Sequence, residues 1–153
     1  MSVLVRRASE GDAEAVGILS GEFVAYLAAL GNPSPRAITA GQYLRDGFGE
    51  RPAFAGLVAE DAGAVVGYAL YHEGFDIDSG GRILILTDLF VSARARGQGV
   101  GRALMEATRE ECRRLEARAL VWAVHFRNGA ARRFYEDLGA TVVDDLVLMS
   151  WPA

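Results

Sequence analysis

Between Arg82 and Leu115 the sequence runs through a strand, a loop with three glycines and a helix, and this stretch carries its densest chemistry. Arg82-Ile-Leu-Ile-Leu-Thr-Asp-Leu-Phe-Val91 has the β-branched and aromatic density of a strand buried on both faces. Ser92-Ala-Arg-Ala-Arg-Gly-Gln-Gly-Val-Gly-Arg-Ala-Leu104 then opens a helix in which Val100, Leu104, Thr108, Cys112 and Leu115 recur every three or four residues. A turn of this kind gathers backbone N–H groups at the positive end of a helix dipole. Gly97, Gly99 and Gly101 lack the Cβ atoms that would hold a bulky anion away, so the stretch reads as a phosphate cradle. Asp88 is the second chemical feature. A carboxylate in an apolar strand is costly unless it has a partner or a task.

Two common glycine signatures do not fit. The dinucleotide pattern G-x-G-x-x-G would end on Arg102 or Leu104, and no Gly-Lys-Ser/Thr follows to make a Walker loop. What stands is Arg96-x-x-Gly99-x-Gly101 behind a hydrophobic strand. A second informative stretch is Arg127-Asn-Gly-Ala-Ala-Arg-Arg-Phe-Tyr-Glu-Asp-Leu-Gly-Ala140. Asn128 suits a helix N-cap and Gly139 a helix end, with Ala131, Phe134, Tyr135 and Leu138 at helical spacing between them. By position alone, Phe134 and Tyr135 read as packing aromatics and Asn128 as a cap.

The rest of the chain must position these two stretches. Val3 to Ala8 reads as a first strand. Ser9-Glu-Gly-Asp12 has capping-box spacing before a helix that buries Val16, Leu19, Phe23 and Leu27, with Glu22 and Tyr26 near its end. Gly31-Asn-Pro-Ser-Pro35 breaks that helix, and a short helix is expected from Ile38 to Arg45. Strands over Ala53–Glu60 and Ala64–Tyr71 flank the tight turn Asp61-Ala-Gly63. His72 to Gly81 reads as a polar loop carrying Glu73, Asp76 and Asp78. Ala119 to Phe126 reads as a strand parallel to Arg82–Val91, because a helix connects the two. Thr141 to Trp151 is expected to give final strands around an Asp144-Asp145 turn.

At 153 residues, with 51% hydrophobic and 24% charged residues, the expectation is one globular domain over 1–153. A net charge of −4 argues against general nucleic-acid binding, which needs clustered Lys and Arg. One cysteine, Cys112, excludes an internal disulfide. No stretch approaches the ~20 apolar residues of a membrane span, and no signal-peptide pattern opens the sequence, so a cytoplasmic protein is expected. His72 and His125 have no metal-like companions, and no metal is expected.

Arg96-x-x-Gly99-x-Gly101 after Asp88-Leu-Phe-Val91, followed in order by N-x-x-A-x-x-F-Y-x-x-L-G-A from Asn128, resembles motifs A and B of the GCN5-related N-acetyltransferases. The run Leu-Thr-Asp-Leu-Phe-Val is most similar to the branch that acetylates diamines, polyamines and thialysine-like amino acids. Thr87 stands where that branch carries a glutamate, and a threonine cannot serve as the base. The resemblance implies an α/β fold: a mixed, twisted sheet flanked by helices, with a central parallel pair splayed for acetyl-CoA. It implies acetyl transfer to a primary amine of a small molecule by direct attack, with homodimers as the assembly.

On the same ground the pyrophosphate of acetyl-CoA would sit on Arg96, Gly97, Gln98, Gly99, Val100, Gly101 and Arg102. The main chain of Leu89, Phe90 and Val91 would pair with the pantetheine arm, and an N–H at about Leu89 would stabilise the oxyanion. Asn128 and Ala131 would touch the cofactor, and Tyr135 would protonate the departing thiolate. An alkylamine must lose a proton before it attacks, which makes Asp88 the candidate base. Glu22, Tyr26, Glu73 and Asp88 are the candidate acceptor-binding residues; each acid by itself also reads as an ordinary solvated side chain. Alternative acceptors are an aminoglycoside, an amino acid or a protein amine, and the alternative of another class is a non-catalytic acyl-CoA-binding module.

Overall fold

The computed structural model describes residues 3–32 and 35–153; Pro33 and Ser34 of the expected helix breaker lie outside the described residues. Two compact units form, Met1–Ala123 and Val124–Ala153. The first contains β1 (Leu4–Arg7), a single 3-10 turn at Glu10–Asp12, α1 (Ala13–Ala29), α2 (Ala40–Phe48), β2 (Ala55–Asp61), β3 (Ala64–Asp76), β4 (Gly81–Val91), α3 (Val100–Arg114) and β5 (Ala119–Val121). The strands lie in chain order in one sheet. β1 to β4 are antiparallel, and β4 and β5 are parallel. The mixed α/β sheet is therefore as expected.

Local chemistry sets the element ends. Asp12 accepts from the Ser9 N–H at 2.8 Å, closing the turn that opens α1. α2 starts at Ala40 instead of Ile38 because Thr39 is its cap: Thr39 Oγ1 accepts from the Gln42 N–H at 3.1 Å and Gln42 Oε1 from the Thr39 N–H at 3.0 Å. The β2–β3 turn has two central residues at positive φ, Ala62 and Gly63, the geometry that matches strand twist.

One face of the sheet is covered by α1 and α2, with Val16, Leu19, Tyr43, Val58, Tyr68, Leu70 and Phe90 in one buried cluster. α3 covers the other face. There a Cβ on Gly67 would stand 2.9 Å from the Phe90 carbonyl oxygen and 3.2 Å from Leu104, so only glycine admits the helix this closely.

Three expectations change. His72 to Asp76 is not loop: β3 continues to Asp76, and these residues pair with Gly81 to Ile85 in a long hairpin. β5 ends at Val121 instead of Phe126. Its ladder covers Ile83–Ile85 against Ala119–Val121, and just beyond it β4 carries an extra residue. Leu70 pairs with Asp88 and Tyr71 with Leu86, leaving Thr87 as a bulge that bends the strand.

The third change falls in the second unit. No strand forms over 141–151, and Val142, Val143, Leu146 to Met149 and Trp151 lie exposed without ladder partners. The unit's helix is α4 (Gly129–Asp137). Asn128 caps it, accepting from the Ala131 N–H at 3.1 Å, and Gly139 at φ 90 ends it.

Candidate active site

Beyond Ile85, β4 keeps its ladder with β3 while its ladder with β5 has ended. The Ser92 N–H donates to the Val66 carbonyl at 2.9 Å, so the Val91 carbonyl of the same peptide points away from β3. Leu89, two residues earlier, directs its main-chain groups the same way. This is the side on which the β5 ladder has already ended at Val121. Phe90 faces the other way in the ladder, opposite Tyr68, and its ring packs on Phe23 at 5.2 Å.

The glycine loop follows at once. Gly97 and Gly99 have φ of 73° and 81°, and open space lies where a Cβ would be built on either. Gly99 is the N-cap of α3, so the first amides of Val100, Gly101 and Arg102 face away from the helix body. Two of the loop's three arginines, Arg96 and Arg102, have protein partners. Arg96 Nε donates to the Val91 carbonyl at 2.9 Å, and its guanidinium lies over the rings of Tyr26 (4.7 Å) and Phe90 (5.1 Å). Arg102 pairs with Glu106 at 3.7 Å, and Gln98 Nε2 donates to the Arg94 carbonyl. The first amides of α3 give the cradle its backbone N–H donors.

Asp88 is half-buried on the α1 face. Its Oδ2 accepts from the Tyr68 hydroxyl at 2.6 Å, and the Leu89 N–H lies near its carboxylate. Burial pushes its pKa up to about 6, against the pull of those two donors. A carboxylate with this value is ionised at neutral pH and close to the range suited to proton transfer. Thr87, exposed on the bulge, donates its hydroxyl to the Leu70 carbonyl at 2.9 Å and fixes the bulge.

The candidate acceptor residues are only partly gathered. Tyr26 lies on α1 against Arg96. Glu22 lies on α1 too, but its Oε2 accepts from the Ser92 hydroxyl at 3.0 Å. It lines an open groove of about 600 Å³ between α1 and the β2–β3 turn, beside Ile18, Glu60 and Arg94. Glu73 is paired across from Leu84, four residues before Asp88 along β4, or about 13 Å. It sits toward the hairpin tip and forms a salt bridge with Arg82 at 3.3 Å.

Among the described residues no group of three or more His, Cys, Asp or Glu is placed to hold a metal, and no helix is long and apolar enough to cross a membrane. In the second unit, Asn128 and Ala131 meet at the start of α4, and Tyr135 follows Phe134 with ring centroids 5.1 Å apart.

Sequence reasoning missed the partners. Tyr68, Ser20 and the Tyr26–Arg96–Phe90 stack belong to separate elements, and only the strand register brings them together. The one available signal was alternation, which puts Tyr68 and Leu70 on the same face of β3.

The sequence model of the Acetyltransferase (GNAT) family matches residues 17–140. The chain belongs to this family. Thialysine N-epsilon-acetyltransferase of Bos taurus is 33% identical over 90% of this chain and 84% of its own length. Spermidine/spermine N(1)-acetyltransferase-like protein 1 of Homo sapiens is 30% identical over 67% of this chain and 16% of its own length. An integron cassette protein from the mobile metagenome of V. cholerae shares the fold at a TM-score of 0.80 and 23% identity, covering 100% of this chain and 94% of that one. The GNAT protein described here is an N-acetyltransferase, and acetyl-CoA is the co-substrate of its family. The main-chain groups of Leu89 and Val91 that point away from β3, with the Val91 carbonyl already accepting from Arg96 Nε, and the left-handed glycine loop at the head of α3 offer that molecule partners for amides and then for phosphate.

Proposed function

We propose that residues 1–153 act as one acetyltransferase domain that moves an acetyl group from acetyl-CoA to a primary amine of a small molecule, of diamine, polyamine or amino-acid side-chain type. Asp88 carries this reading: it accepts from the neutral Tyr68 hydroxyl and burial pushes its pKa up to about 6, on the strand whose ladder with β5 has ended. The thialysine and polyamine names of the relatives agree with an amine acceptor.

The backbone N–H groups from Arg96 to Arg102 hold the pyrophosphate, and Leu89 and Val91 offer main-chain groups to the pantetheine arm. Acetyl-CoA supplies a thioester when bound. Asp88 accepts a proton from the ammonium form of the acceptor, whose nitrogen then attacks. The C–N bond forms, the nitrogen releases its second proton to solvent, the C–S bond breaks, and Tyr135 gives its proton to the departing sulfur. Solvent exchange returns both side chains to their starting states. Asn128 and Ala131 present the start of α4 to the cofactor, while Glu22 and Tyr26 line the acceptor side. Cytoplasmic homodimers belong to the same reading, and sedimentation velocity reads the assembly directly.

The test is CoA release from acetyl-CoA across a panel of thialysine, lysine, diamines, spermidine, aminoglycosides and a peptide amine. Saturable turnover with a diamine, a polyamine or thialysine is expected. Tyr135→Phe is expected to lower kcat about 100-fold while the Kd for CoA stays unchanged. Tight acetyl-CoA binding without turnover of any amine would replace the enzyme reading by a binding module.

A further inference from the structure

Tyr68 links the candidate base to α1. Its hydroxyl donates to Asp88 Oδ2 at 2.6 Å. The Ser20 hydroxyl of α1 lies beside the Tyr68 phenol and accepts from the Ile38 N–H at 3.0 Å. Both Ser20 and Tyr68 are buried. An ionised carboxylate can only accept, so Tyr68 directs its single hydrogen to Asp88.

We infer that Tyr68, backed by Ser20 of α1, is a positioning relay for acetyl transfer: it holds Asp88 Oδ2 as an acceptor and leaves Oδ1 to take the substrate's proton. This rests on Asp88 as the base. A buried hydrogen bond to a charged acceptor stabilises the ionised form, so the Tyr68 bond also restrains the rise that burial imposes on Asp88.

No opposing charge shares that role. On α1, Glu22 is bonded to Ser92, and Tyr26 lies under the Arg96 guanidinium. On β3, Tyr71 donates to Glu111 on the opposite face, His72 bonds to the Glu73 carbonyl, and Glu73 pairs with Arg82. Arg96, after β4, is bonded to the Val91 carbonyl.

The test measures Asp88 itself as well as turnover. Protein labelled with ¹³C at aspartate carboxyls is titrated by NMR, and the Asp88 resonance is identified by its loss in Asp88→Asn. The wild-type midpoint is expected at about 6. Tyr68→Phe is expected to raise it by about 1 unit, a tenfold gain in proton affinity, and Ser20→Ala by a smaller step in the same direction. The acid limb of kcat/KM should move with the midpoint in each variant, while the Kd for acetyl-CoA stays put.

Should Tyr68→Phe fail to fold, Ser20→Ala removes one oxygen atom and carries the same sign. Midpoints and acid limbs unchanged in the folded variants would overturn the relay, whatever Asp88→Asn does. Asp88→Asn with full activity and an intact acid limb would instead overturn Asp88 as the base, and with it the catalytic sense of the relay.

Discussion

Asp12 and Asp88 are two carboxylates of one small sheet domain, and their surroundings drive them in opposite directions. Asp12 is buried but accepts from both terminal guanidinium nitrogens of Arg6, at 2.8 and 2.9 Å, and the third, Nε, donates to Glu60 at 3.0 Å. The guanidinium holds the Asp12 carboxyl below the usual carboxylate range, against desolvation. Asp88 has only a phenol and a backbone amide, and desolvation dominates. A full opposing charge converts a carboxylate into structure. Neutral donors leave it able to take up a proton near neutral pH.

The largest expected difference is in catalysis. Asp88→Asn should lower kcat/KM between about 10²- and 10⁴-fold at pH 7.5 in a CoA-release assay, whereas Asp12→Asn should leave the acid limb of the pH profile in place. Arg6→Ala leaves Asp12 without its counter-charge, and urea unfolding at pH 7 should show a loss of roughly 2 kcal/mol with that limb unmoved.

Stability against pH separates the two further. Asp88 has a folded pKa above its ordinary value of 3.8, so it favours folding when protonated and opposes it progressively as pH rises from about 4 to 6. Asp88→Asn should therefore be more stable than the parent above pH 6, by about 1–3 kcal/mol, with the gap closing below about pH 4 in thermal melts. Asp12, with a lowered folded pKa, contributes stability above its unfolded pKa and loses it as pH falls through the folded value. Gly99→Ala tests the loop instead. Its left-handed φ of 81° should make alanine cost about 1–2 kcal/mol, with a weaker acetyl-CoA Kd by calorimetry.

The strand, glycine loop and helix over 82–115 were legible because each left a local mark: apolar density, Cβ-free residues, and a three-to-four periodicity that became the buried Val100, Leu104, Thr108 and Cys112. Asn128 and Gly139 were legible as caps for the same reason. The surroundings of Asp88 were not. Tyr68 meets it diagonally across the β3–β4 ladder, whose register depends on the turn at 77–80 and on a bulge at Thr87 that leaves no mark in the residue pattern. Glu22 has the right charge for an amine site, but that its carboxylate also meets the Ser92 hydroxyl depends on how packing turns the helix, which no local pattern shows. The early end of β5 and the strandless 141–151 segment are likewise outcomes of partnership. Apolar alternation proposes a strand; a neighbour with matching register is needed to make one.

β4 beyond Ile85 is a zipper closed along one side, and this has a signature in time as well as space. Amides directed at β3 should exchange with deuterium slowly, and those directed the other way quickly, giving protection with a period of two from Asp88 to Val91. The extra residue at Thr87 should make that rhythm skip a beat, so the slow amides before it and after it fall out of step.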